Sequence, residues 1–240
     1  MEALVVLSGG LDSAVALSEA LAQNNDDPSK VGAITFTYGQ KHYKEIGAAK
    51  ELVQYYGLEV HRVIELPQIF GGTDSVLMAE NNLEMPEASY EDMEDSDVGV
   101  SPTYVPYRNG NFLSMATTMA LVEGASEVWA GMHAEDAHNW AYPDCTPEFL
   151  GAMAGAIYVG SYHKVRLITP HMWRTKADVV AAGLNLYTPF QLTWSCYNGE
   201  EYACGTCPTC VGRIQAFIFN SYKDPVKYQI EIDWEGAGVW

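Results

Sequence analysis

Ala3-Leu4-Val5-Val6-Leu7-Ser8-Gly9-Gly10-Leu11-Asp12-Ser13 is the stretch that decides the fold. Its five leading apolar residues predict a strand buried on both faces, and Asp12 and Ser13 are residues that start helices. Between them, Gly9 and Gly10 let the backbone approach a ligand closely and turn N–H groups inward. Those donors, with the positive end of a helix predicted from Ser13, form an anion site. Ser8 and Ser13 add hydroxyls, and Asp12 either holds a metal ion or caps the helix. A Gly-Gly pair alone is an ordinary turn; the whole string at a strand-to-helix junction points to phosphate.

Outward from this stretch, the helix ends in Asn24-Asn25-Asp26-Asp27-Pro28, a breaker. Val31 to Tyr38 reads as a second buried strand. Tyr43 to Tyr56 reads as a helix with Ile46, Ala49, Val53 and Tyr56 on one face and a stop at Gly57. Val60 to Leu66 makes a third strand. This alternation predicts an α/β fold: a doubly wound, mostly parallel, Rossmann-like sheet with right-handed crossovers and ligands at the carboxyl ends of its strands. After an irregular stretch from Gly71 to Pro102, Phe112, Met115, Ala116, Met119 and Ala120 mark one face of a helix that stops at Gly124. Further strands are predicted at Glu127–Gly131 and Val165–Thr169. Helices are predicted at Pro147–Gly160, at Thr175–Ala182 with a stop at Gly183, and from within the cysteine cluster to about Tyr222. No repeat or linker interrupts the chain, so residues 1–240 read as one domain, with an acidic loop at about 71–103 and a cysteine segment at about 193–222. Between Glu84 and Asp97 stand seven acids and no base. That run is either a solvated loop or an active-site lid.

The net charge of −18 opposes broad contact with nucleic acid, whose phosphates call for Lys and Arg. No apolar run reaches the ~18 residues that span a bilayer, and the N-terminus shows no signal-peptide pattern, so a cytoplasmic protein is expected. Cys196, Cys204, Cys207 and Cys210 are spaced C-x7-C-x2-C-x2-C. Four thiolates so spaced suit a closed tetrahedral zinc site. An iron–sulfur cluster is the alternative, since C-x2-C-x2-C also opens ferredoxin motifs. The zinc reading has the metal tie the C-terminal loop to the sheet and do no chemistry.

SGGxDS after an N-terminal strand resembles the PP-loop of the ATP pyrophosphatase superfamily, whose members split ATP into AMP and pyrophosphate while adenylating a substrate oxygen. No GK[ST] follows, which excludes the Walker loop. With the four cysteines, the chain to about Tyr222 resembles the 7-cyano-7-deazaguanine synthase family of queuosine biosynthesis. The matching strings are SGGLDS, YGQKH (Tyr38 to His42), VPYRN (Val105 to Asn109), YPDC (Tyr142 to Cys145), Trp173 to Lys176, TWSCYNG (Thr193 to Gly199) and CGTCPTC (Cys204 to Cys210). The resemblance implies ATP with Mg²⁺ held by Ser8, Gly9, Gly10, Leu11, Asp12 and Ser13, zinc on the four cysteines, and a homodimer. It implies conversion of 7-carboxy-7-deazaguanine and ammonia, through an adenylated carboxylate and an adenylated amide, to the nitrile preQ0. The chain departs from the family pattern at Ala14 and Thr146, which stand where a hydroxyl and an arginine are usual, at Asp136 to Trp140, and at Pro208 and Thr209. Thr146 and Trp140 leave an amide-forming enzyme as the alternative; a tRNA-modifying PP-loop enzyme is disfavoured by the acidic charge.

Joining a carboxylate to phosphates in so acidic a protein needs Mg²⁺ and local cations. Arg108 is the only Lys or Arg between Arg62 and Lys164; it is expected just before a helix and is read as a phosphate or carboxylate partner. Lys41, with His42 after the second strand, and Lys176 at a helix start are the other catalytic candidates. A guanine-type edge donates from N1–H and its amine, so a carboxylate must accept. Asp136, Asp144 and Glu148 are the candidates, with Trp140 and Tyr142 for stacking. Cys145, outside the metal spacing, reads as a small buried residue, with substrate contact second.

Overall fold

The structure, a computed structural model, describes residues 1–41, 43–66, 69–81, 83, 101–133, 135–136, 141–198 and 201–239. The acidic run 84–97, His42 and Trp140 lie outside the described residues.

Five strands, β1 (Ala3–Val6), β2 (Val31–Thr37), β3 (His61–Glu65), β4 (Glu127–Trp129) and β5 (Arg166–Ile168), form one parallel sheet in the order β3-β2-β1-β4-β5. The α/β reading of the sequence is the observed fold. Alternation along the apolar strands explains the layers, since successive side chains leave a strand on opposite faces. Leu4, Ile34 and Val128 join a core with Leu113, Ala116 and Ala120 of α3 (Arg108–Glu123) and with Leu150 and Ile157 of α4 (Pro147–Gly160). Ala3, Val5 and Ala33 face the other way, against Ala14, Leu17 and Ala20 of α1 (Leu11–Gln23) and Ala49 and Leu52 of α2 (Lys44–Tyr56). Each large apolar side chain so buried contributes roughly 1.5–3 kcal/mol.

Helix ends refine the sequence reading. Helix α1 starts at Leu11, two residues before the predicted Ser13, because Gly10 is its N-cap, so Asp12 lies in its first turn and does not cap it. Helix α2 ends at Gly57, with φ 67°, as predicted. Arg108 is the first residue of α3 and does not precede it, because the Asp144 carboxylate takes up the Asn109 N–H at 2.8 Å and lets the helix begin four residues before Phe112. Helix α5 (Lys176–Asn185) runs through Gly183, which does not stop it. A Cβ at Gly183 would lie 2.4 Å from the Phe190 ring and 2.8 Å from Val15, so this glycine is a contact point of α5 against α1. Helix α6 (Pro208–Phe219) starts inside the cysteine cluster.

The sheet grows outward from β1 in both directions, with β2 and β3 on one side and β4 and β5 on the other. The crevice of a doubly wound sheet opens where the strand order reverses, here between the carboxyl ends of β1 and β4.

Candidate active site

The loop after β1 fills that crevice edge. Gly9 has φ 92°, and a Cβ there would meet the Glu45 carbonyl oxygen at 2.1 Å and the Ala49 nitrogen at 2.8 Å. Only glycine lets the loop lie against α2 in this way. Internal bonds hold its shape: the Ser8 N–H donates to Ser13 Oγ at 3.2 Å, the Gly10 N–H to Ser8 Oγ at 3.1 Å, and the Ser13 hydroxyl to the Gly10 carbonyl at 3.0 Å. Leu11 buries its side chain in the core, so it can offer a ligand only its backbone. The C-terminal segment grips the loop from outside: Trp194 N–H donates to the Gly9 carbonyl at 2.9 Å, and Leu11 N–H to Ser195 Oγ at 3.4 Å.

Beyond the loop lies a cavity of about 250 Å³, with Asp12 and Lys176 on one wall, Arg108 and Glu45 on another, and His133 and Asp136 after β4. Lys176 Nζ lies 2.6 Å from Asp12 Oδ2 and 3.3 Å from His133 Nε2, which is itself 3.4 Å from Asp136 Oδ1. Burial alone would raise the Asp12 carboxyl; Lys176 and then His133 overcome it and bring it down to about 2. Asp12 Oδ1 is buried without a hydrogen-bond partner among the described residues. Behind the pair, His171 is buried between the Asp12 carbonyl, 3.2 Å from Nε2, and Arg174 Nη1, 3.2 Å from Nδ1. Burial pushes its pKa down. Because Arg174 can only donate, Nδ1 accepts and the neutral ring donates from Nε2 to the start of α1.

On the opposite wall, Arg108 Nη1 donates to the Tyr38 hydroxyl at 2.8 Å, with the guanidinium 5.3 Å from the Tyr38 ring and 5.9 Å from that of Phe112. Burial works against its charge, but Tyr38, Tyr197 and Asp144 outweigh it, so the pKa is raised and Arg108 stays cationic. Its Nε is buried and has no partner among the described residues. A buried, charged donor without an acceptor is costly unless a ligand supplies one.

The sequence candidates divide. Ser8, Gly10, Asp12, Ser13, Arg108, Lys176, Asp136, Tyr142 and Cys145 line the cavity. Lys41 stands off its wall, donating to the Leu83 carbonyl at 2.9 Å. Asp144 is buried and engaged with Asn109, also off the wall, and Glu148 is exposed in the first turn of α4. Cys145 accepts from Asn109 Nδ2 at 3.2 Å, and burial pushes its thiol well up, so it is a neutral wall residue. Thr146 caps α4 by accepting from the Phe149 N–H at 3.2 Å. Glu45, His133 and Ser195 were not singled out from sequence. The only signal for His133 is its place just beyond a strand's carboxyl end; for Glu45 there is its place in the first turn of the helix that follows Tyr38-Gly39-Gln40.

The four cysteine sulfurs lie within 4.8 Å of one another, all buried, with Cys204 and Cys210 Sγ 3.9 Å apart. Backbone N–H groups of Asn198 and Cys204 point at Cys196 Sγ, at 3.3 and 3.2 Å, as they do toward a thiolate. Four sulfurs on one ion at bonds of ~2.3 Å stand about 3.8 Å apart, so the donor set fits a single tetrahedral metal.

Comparison with known proteins adds to this geometry. The 7-cyano-7-deazaguanine synthase of Caldicellulosiruptor saccharolyticus is 38% identical over 235 residues, 98% of this chain and 99% of its own. That of Caldicellulosiruptor bescii is 38% identical over 234 residues, 98% of this chain and 100% of its own. Among solved structures, the U34-tRNA thiolase NcsA from Methanococcus maripaludis, with its 4Fe–4S cluster, is similar at a TM-score of 0.51 and 16% identity. That match covers 90% of this chain and 64% of the thiolase, and it is a likeness of fold alone. A family model described as queuosine biosynthesis protein QueC matches residues 2–221. With relatives aligned end to end and a family match that takes in both the phosphate loop and the four cysteines, this chain belongs to the QueC family.

Proposed function

We propose that this protein is an ATP-dependent ligase that converts 7-carboxy-7-deazaguanine and ammonia into 7-cyano-7-deazaguanine. The observation that carries this reading is the convergence, on one cavity of a QueC-family chain, of the phosphate loop, the Asp12–Lys176 pair and Arg108 with its partnerless Nε. The loop amides and the start of α1 hold the leaving pyrophosphate. The substrate carboxylate then attacks the α-phosphorus; its oxygen leaves later as AMP when ammonia adds, giving the amide. A second ATP activates the amide oxygen, and loss of AMP leaves the nitrile. Catalysis here is positioning and charge neutralisation. Arg108 Nε–H faces the oxyanion that develops on the reacting carbon, Lys176 neutralises phosphate, and Asp136 accepts from the deazaguanine edge over the Tyr142 ring. Asp12 Oδ1 is the carboxylate oxygen available to Mg²⁺, which would offset phosphate charge. Cys196, Cys204, Cys207 and Cys210 would hold zinc as a closed structural site. Their close spacing supports one ion over a multi-iron cluster, which pushes its thiolates farther apart.

A homodimer fits α4, an apolar helix of which only Leu150 and Ile157 are buried while Val159 is 69% exposed. We read residues 1–240 as one domain acting in the cytoplasm, on small molecules and not on nucleic acid. No helix of the described residues is long and apolar enough to cross a membrane. The test is to incubate the protein with ATP, Mg²⁺, ammonium and 7-carboxy-7-deazaguanine and weigh the products. The nitrile with AMP and pyrophosphate is expected; accumulation of the amide, or no AMP, overturns the reading.

A further inference from the structure

We propose that Glu45 is the proton acceptor for the nitrogen chemistry of this site, taking the N–H protons released as ammonia becomes an amide and the amide becomes a nitrile. The inference rests on the ligase reading above.

Elimination among the carboxylates points to Glu45. Among the described residues, four side-chain carboxylates line the cavity: Asp12, Glu45, Glu135 and Asp136. Asp12 is paired with Lys176, Glu135 Oε2 accepts the Lys176 backbone N–H at 2.8 Å, and Asp136 lies 3.4 Å from His133. Glu45 alone has no such partner among the described residues. Its position is fixed, because its own carbonyl is the atom that Gly9 packs against, which sets the side chain beside the nucleotide loop in the first turn of α2. The neighbouring lysines turn elsewhere: Lys41 to the Leu83 carbonyl, and Lys44 to the Glu201 carbonyl and over the Trp194 ring. What faces Glu45 is Arg108 of α3, with the Tyr38 hydroxyl from the end of β2 and Tyr197 of the C-terminal segment on the same cavity wall. A carbon that carries oxygen toward Arg108 presents its nitrogen toward Glu45. Burial raises the Glu45 carboxyl to about 7 against the pull of Arg108, so near neutrality it can both accept a proton and give it up to water.

The protons balance. Glu45 takes one from ammonium and gives it up to water; the nitrogen lone pair forms the C–N bond to the acyl adenylate, Glu45 accepts the second N–H proton from the cationic nitrogen so formed, and the C–O bond breaks with its electrons leaving on AMP. In the second round, the amide oxygen attacks the α-phosphorus of ATP and pyrophosphate leaves. Glu45 then accepts an N–H proton as the C–O bond breaks to AMP, and the remaining N–H proton passes to water as the triple bond closes.

The experiment uses the full chain with ATP, Mg²⁺ and either the carboxylate or the isolated amide. Wild type with the carboxylate and no ammonium must release pyrophosphate; if it does not, the ligase reading fails and Glu45 has no nitrogen step to serve. In Glu45→Gln, pyrophosphate release should stay within about twofold of wild type, while nitrile formation from the amide falls by ~10²–10⁴-fold. Hydroxylamine, which is neutral at pH 7, should restore carboxyl turnover in the variant to within about tenfold of wild type. On the amide, wild-type kcat should fall as pH drops through about 7, and the variant should lose that acid limb. Nitrile formation by Glu45→Gln within about tenfold of wild type and with the limb intact overturns the proposal. Should the variant not fold, a wild-type amide profile that is flat between about pH 6 and pH 8 overturns it equally.

Discussion

Arg108 and Glu45 share one wall of the cavity, and each yields an expectation at the scale of a single side chain. Arg108→Ala removes the donor assigned to the oxyanion and should lower kcat/KM by ~10²–10³-fold. Its melting temperature should move far less, because the guanidinium stacks on rings without filling the core; near-normal turnover would remove Arg108 from the site. Glu45 carries a stability cost. Its carboxyl titrates at about 7 in the fold against 4.5 ordinarily, so the folded protein binds the extra proton. Stability should therefore fall as pH rises from 4.5 to about 7. Glu45→Gln should melt higher than wild type at pH 8 and no higher at pH 4, as a thermal scan at the two pH values would reveal. The Arg108 role was read from sequence; that of Glu45 was not. A glutamate in the first turn of an amphipathic helix looks like any helix-starting acid, whereas Arg108 stands alone between Arg62 and Lys164, in VPYRN at a helix start.

At the scale of elements, glycines separate loop from scaffold. Gly9→Ala puts a Cβ into the α2 backbone at a positive φ. It should lower the melting temperature and weaken ATP binding together, read by calorimetry and by titration. Gly47, on α2 with open space around it, should accept alanine with a gain of roughly 0.5–1 kcal/mol. If Gly9→Ala behaves like Gly47→Ala, the close approach of loop and helix does not matter to binding. Types and order of elements were legible because buried parallel strands read as apolar runs and helices as 3.6-residue stripes. Boundaries set by distant contacts were not. The start of α3 depends on Asp144, 35 positions away in sequence from Asn109, and the passage of α5 through Gly183 depends on Val15 and Phe190 packing there.

Across the whole molecule, the cysteine segment and the phosphate loop form one mechanical unit. Trp194 and Ser195, just before Cys196, bond to Gly9 and Leu11, while buried Arg213 of α6 ties Asp224 at 2.6 Å to the same segment through Thr193 at 2.7 Å. Stripping the metal with a chelator should therefore raise the Kd for ATP as well as loosen the C-terminal region. Unchanged nucleotide affinity in metal-free protein would show the two to be independent. The sequence by itself determined the sheet, the phosphate loop and the four-sulfur set, because each is written in local spacing: apolar runs, a Gly-Gly turn before a helix, thiols two residues apart. Only the tertiary structure decided which charges meet. Lys176 reaches Asp12 across 164 positions, Asp144 serves a helix end instead of the cavity, Lys41 turns away, and Glu45 feels Arg108 without a direct ion pair among the described residues. Pairing and desolvation of charges depend on three-dimensional distance and burial, which no local pattern of residues encodes.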